Sequence, residues 1–229
     1  MKNYTARHLT SANTLPLVIE PVDPRITQDG FAELLLERNN EFKQLLLQHG
    51  ALLFRNFPVS GADDFASLIR RMDIGRFADY KGGDSPRKKV VDGVFTSTEA
   101  PPWLRIPLHN ELSYSSYYPS HILFYCDIEP DDRGATPIAD ARKVFRSIDP
   151  KIRERFMEKG LSYRSAYHGG AGIIPAIVGK GHRSWQDVFE TTHREEVEKV
   201  CGERNLQFDW HAGNCLSFTH DGPSTHVHP

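Results

Sequence analysis

Apolar residues at Phe31, Leu34, Leu35, Phe42, Leu45 and Leu46 follow three- and four-residue spacings, a pattern that predicts one amphipathic helix over 31–48, ended by Gly50. The next run, ALLFRNF (51–57), is short, apolar and bounded by Gly50 and Pro58, which predicts a buried strand. Ser60 is placed to cap a second helix over GADDFASLIRRM, with Asp63 and Asp64 in the first turn, where the helix dipole favours negative charge.

The period is lost from Gly75 to Pro107, where Gly, Pro, Lys and Asp crowd stretches such as YKGGDSPRKK. This reads either as a long loop near a site or as a solvated surface connection. Beyond it, HILFYCDIE (121–129) predicts a strand and DDRG (131–134) a turn. TPIAD (136–140) predicts a strand leading into a helix from about Ala141, and Pro150 opens another helix as a favourable first-turn residue. GLSYRSAY (160–167), LQFDW (206–210) and NCLSF (214–218) predict strands, and HREEVEKVCGERN (193–205) a helix. Helices first and then strands with helical insertions argue for an α+β arrangement around a mostly antiparallel core. No repeat or linker interrupts the chain, so a single domain is expected over 1–229.

Composition narrows the function classes. At 229 residues, with 39% hydrophobic and 25% charged residues and a net charge of -2, the chain matches an ordinary soluble protein without the basic excess that draws nucleic acid. No apolar run approaches the ~20 residues that span a bilayer, and the first 21 residues lack a signal-peptide core. A cytoplasmic protein with a small-molecule substrate, without nucleic-acid or membrane partners, is the expectation. Cys126, Cys201 and Cys215 form no CxxC pair and are odd in number, which favours neither a disulfide framework nor a cysteine zinc site. Cys126 is expected to be a buried strand residue.

Candidate chemistry concentrates in PLHNELSYSSYY (107–118). His109 and Glu111 are two residues apart, so in an extended segment both side chains point to the same side and could share a metal ion; a polar loop is the plainer account. Ser113, Tyr114, Ser116 and Tyr117 could line a pocket or serve as packing residues. Thr96, Ser97 and Thr98 could contact substrate or satisfy local turns. Trp185 and Phe189, one helical turn apart, read as core.

The longer segment VFTSTEAPPWLRIPLHNELSYSSYYPSHILFYCDIEPDDRGATPIADARKVFRSI resembles the TauD/TfdA superfamily of Fe(II)- and 2-oxoglutarate-dependent oxygenases, in particular its clavaminate-synthase-like and SyrP-like branch. A weaker match runs from HGALLFRNFPV through SWQDVFETTHREEVEKVCGERNLQFDW to the last residues. The resemblance implies a double-stranded β-helix, or jelly roll, flanked by helices. It implies that His109 and Glu111 are the first two iron ligands and that Thr136, in GATPIAD, helps to hold the 2-oxoglutarate carboxylate. Thr136 also reads as a locally bonded strand residue. The cosubstrates implied are 2-oxoglutarate and O2, with succinate and CO2 as products. Related halogenases replace the carboxylate ligand by a small residue to admit chloride, so the acid at Glu111 points to hydroxylation or another oxidation without halide.

The resemblance also raises an expectation of incompleteness. The family draws its second iron-binding histidine and its 2-oxoglutarate-binding arginine from a segment beyond the point aligned with the final VHP, so the jelly roll is expected to be incomplete at the C-terminus. His220, His226 and His228 in THDGPSTHVHP could bind a metal or form a polar loop. Arg133, Arg142 and Arg164 could bind a carboxylate or serve structurally. Three readings follow: a fragment of an active oxygenase, a shortened and impaired relative acting as a binding or assembly protein, or a homo-oligomer in which a second chain completes the site.

Overall fold

The computed structural model describes residues 3–11, 14–72, 74–77, 87–97, 105–115, 118–132, 134–170 and 184–227. It separates into two compact units. The first comprises Met1–Phe77, Lys88–Ser97 and Leu123–Phe145, and the second Ala78–Arg87, Thr98–Ile122 and Arg146–Pro229.

In the first unit, strands β1 (Tyr4–His8), β2 (Leu17–Pro21) and β3 (Leu52–Phe54) form a sheet in that order. β1 runs antiparallel to β2, while β3 runs parallel to it in the register Val18↔Leu53. Leu17, Val18 and Ile19 are buried in succession, as a central strand covered on both faces requires. Neither β1 nor β2 was among the expected strands. The expected helix over 31–48 is instead two, α1 (Gln28–Glu37) and α2 (Asn39–His49), because Arg38 (φ -105, ψ 13) leaves the helical region. The polar triplet Arg38-Asn39-Asn40 falls between the two apolar clusters, so no core contact demands a continuous rod there. Thr27 caps α1 by accepting a hydrogen bond from the Gly30 N–H. Gly50, at φ 79, ends α2 in the left-handed conformation that glycine adopts without steric cost. Phe31, Leu34, Leu35 and Phe42 pack with Tyr4, Leu17 and Ile19 in one core.

Helix α3 (Ala62–Arg71) begins one residue later than expected, with Gly61 at the cap position. Ser60 does not cap it; its backbone N–H donates instead to the Asp64 carboxylate at 3.0 Å. The aperiodic stretch from Gly75 to Pro107 holds a short antiparallel hairpin, β4 (Lys89–Val91) with β5 (Val94–Phe95). Thr96 closes it, its N–H donating to the Lys88 carbonyl and its hydroxyl accepting from the Lys88 N–H.

Two strand expectations fail. Residues 121–129 and 136–140 belong to no strand. Phe124 is 60% exposed and Ile128 84% exposed, and Cys126, expected to be buried, is exposed as well. Residues of high strand preference form a strand only where another segment completes the ladder. Helix α4 (Ala141–Ser147) starts where Ala141 was expected to begin one. Arg142 ion-pairs with Asp140 and donates to the Leu47 and Gln48 carbonyls at the end of α2, a structural role.

The second unit contains α5 (Pro150–Lys159), opened by Pro150 and capped by Asp149. Its sheet has the order β6–β8–β7, antiparallel throughout, from β6 (Leu161–Tyr167), β7 (Gln207–His211) and the central β8 (Cys215–Gly222). Helices α6 (Trp185–Phe189) and α7 (Arg194–Glu203) supply Trp185, Val188, Phe189, Val197 and Cys201 to a core with Tyr167 and Leu216. Ser184 and Asp187 cap α6 reciprocally, each side chain accepting from the other's backbone N–H. The α+β mixture is thus present, with three small sheets among the described residues. No helix of the described residues is long and apolar enough to cross a membrane.

Candidate metal centre

Residues 105–110 reach the candidate pair without regular structure, and 111–114 form a turn. Leu112 sits in that turn at φ 52, a left-handed backbone that costs a branched residue about 1–2 kcal/mol. Its side chain is 7% exposed, and burying a leucine recovers about 1.5–3 kcal/mol. Burial of Leu112 therefore holds the turn in a strained shape. Glu111 precedes it directly, at the start of the same turn.

His109 is exposed, and its Nδ1 lies 2.9 Å from the Pro107 carbonyl oxygen. A carbonyl can only accept, so Nδ1 carries the proton, and in the neutral ring Nε2 keeps its lone pair. That is the tautomer in which a backbone carbonyl orients a metal-binding histidine. Glu111 is partly buried, and both its oxygens accept from Nη2 of Arg87, at 3.1 and 3.2 Å. Arg87 was not singled out in the sequence; it stands in the lysine- and arginine-rich stretch read as a loop, and no spacing rule links it to Glu111.

The donor chemistry of His109 and Glu111 suits two of the three protein positions of a 2-His-1-carboxylate iron site. A third donor is not brought to them: among the described residues, no group of three or more His, Cys, Asp or Glu side chains is placed to hold a metal ion. His226 engages Tyr118, its Nδ1 3.1 Å from the phenol oxygen. His220 lies on β8 opposite Tyr163. Thr136 is exposed in an irregular stretch of the first unit, whereas His109 and Glu111 belong to the second. Ser113 donates its N–H to the Asn110 carbonyl within the turn. Arg164 is an exposed residue of β6, and Trp185 and Phe189 are core as expected. The expectations for Thr98, Ser116, Tyr117, Arg133 and His228 lie outside the described residues.

These features define an α+β protein whose candidate chemistry is a histidine–carboxylate donor pair at the entrance to a turn held by buried Leu112. The family model "Taurine catabolism dioxygenase TauD, TfdA family" matches residues 13–221, and the chain belongs to that family. It is 30% identical over 212 residues to a clavaminate synthase-like protein of Arabidopsis thaliana, covering 91% of this chain and 62% of that protein. It is 32% identical over 186 residues to the dapdiamide synthesis protein DdaC of Enterobacter agglomerans, covering 81% of this chain and 53% of that one. The chain thus spans little more than half to three-fifths of the length of these relatives. The family is, in general, one of Fe(II)- and 2-oxoglutarate-dependent oxygenases.

Proposed function

We propose that this protein is an Fe(II)/2-oxoglutarate-dependent oxygenase that hydroxylates, or otherwise oxidises without halide, a small molecule. The observation that carries the reading is the His109 ring, held by the Pro107 carbonyl in the tautomer that frees Nε2, two residues from a retained carboxylate at Glu111. In this reading His109 and Glu111 hold the iron, Thr136 contacts 2-oxoglutarate, and residues 1–229 belong to a single domain of the jelly-roll type. Iron with 2-oxoglutarate and O2 supplies the oxidising chemistry. The substrate in this reading is a small molecule such as an amino acid, free or carrier-tethered, from secondary metabolism. A cytoplasmic location and a homo-oligomer that completes the site belong to the same proposal.

A second reading is a binding or assembly protein on the same fold. One observation favours it: no third donor joins the pair among the described residues.

Anaerobic titration with Fe(II) and 2-oxoglutarate decides between them. A weak visible charge-transfer band, absent in His109→Ala, is expected for the oxygenase, whereas no band in the wild type supports the binding protein.

A further inference from the structure

Arg87 and Glu111 lie 24 residues apart, so only folding brings them together. One guanidinium nitrogen donates to both carboxylate oxygens, and the two side chains are 17% and 18% exposed. Shielding of this kind separates the pair from surface ion pairs, which salt and water readily loosen. From this geometry we infer that Arg87 is a positioning residue for the metal centre, orienting the Glu111 carboxylate and covering the face between its two oxygens. The inference rests on the reading of Glu111 as an iron ligand.

The nitrogen is almost equidistant from the two oxygens, so it stands near the bisector of the carboxylate, where a chelating cation would otherwise sit. A carboxylate offers about four lone-pair sites, so the two hydrogen bonds from Arg87 do not exhaust its accepting capacity. A cation would then meet Glu111 through one oxygen while Arg87 keeps its hydrogen bonds. Glu111 is also held at its other end, where buried Leu112 pins the turn. Without Arg87, metal binding would have to order a side chain with several rotatable bonds, and outer partners of this kind are worth about 10–100-fold in metal affinity.

The test uses Mn(II) as a redox-inert probe, with free Mn(II) followed by its electron paramagnetic resonance signal, in the wild type, Arg87→Gln, Arg87→Lys, His109→Ala and Glu111→Gln. Arg87→Gln is expected to weaken Mn(II) binding about 10-fold or more, by loss of the outer partner. Arg87→Lys should recover part of that loss, because an ammonium keeps the charge but lacks the planar fork. Wild-type affinity or tighter binding in Arg87→Gln overturns the inference alone, provided that His109→Ala and Glu111→Gln abolish uptake. If circular dichroism shows that Arg87→Gln does not fold, Arg87→Lys decides, and wild-type affinity in that variant overturns the inference. Failure of the wild type to take up Mn(II), or uptake indifferent to His109 and Glu111, overturns the iron reading and the role of Arg87 with it.

Discussion

The segments LSYRSAY (161–167) and HILFYCDIE (121–129) were both expected to form strands, yet the structure treats them differently. The first runs through a seven-residue ladder with β8, from Leu161↔Gly222 to Tyr167↔Leu216, and its sheet closes over the core built on Trp185. The second forms no strand and leaves Ile122, Leu123, Phe124 and Ile128 exposed. Strand preference describes how a side chain suits a pleated, half-buried surface; a neighbouring strand has to provide that surface.

The largest way to sharpen this contrast is Trp185→Ala. Trp185 is 1% exposed, stacks edge-on against Trp210 with ring centroids 5.2 Å apart, and donates from Nε1 to the Asn214 carbonyl. Its truncation should cost about 3–5 kcal/mol, measured by urea unfolding followed by circular dichroism. A loss under about 1 kcal/mol would break the claim that this sheet rests on a packed core.

A smaller effect should come from pH. Burial in the same core pushes the Cys201 thiol up to about 11, from an ordinary value of 9.0. Between these values the unfolded thiol has lost its proton while the folded one keeps it, so the unfolded state binds fewer protons. The contribution is complete below the unfolded value and is lost as pH rises towards the folded one. Urea midpoints of the wild type should therefore fall more steeply from about pH 9 towards 11 than those of Cys201→Ala. Parallel slopes would sink the assignment of Cys201 to a dry core.

The smallest effect on stability belongs to the other side of the comparison. Phe124→Ser should change the unfolding free energy by no more than about 0.5 kcal/mol, since little of the ring is buried, while reducing the binding of a hydrophobic fluorescent dye. A loss of several kcal/mol would show that 121–129 is packed in solution.

Much of the helical half was legible before the fold. Gly50, Pro150 and the start at Ala141 are local signals, and each falls where the chain ends or begins a helix. The split at Arg38 and the cap at Gly61 were missed, because a break in an apolar stripe changes the pattern by only a residue or two. Strand β1 was missed for another reason: YTARH carries little apolar signal, and its place in the sheet comes from its antiparallel partner β2, whose own apolar run Leu17-Val18-Ile19 is only three residues long.

By itself the sequence determined the family and the candidate pair His109 and Glu111, because linked motifs in order survive without coordinates. It also determined most helices, whose backbone hydrogen bonds close within about four residues and answer to local caps. Tertiary structure alone decided which strand-like segments find ladders, which cysteine is buried, and that Arg87 clasps Glu111. Each of these depends on a partner from a distant part of the chain, and no residue pattern records which distant groups folding will bring together.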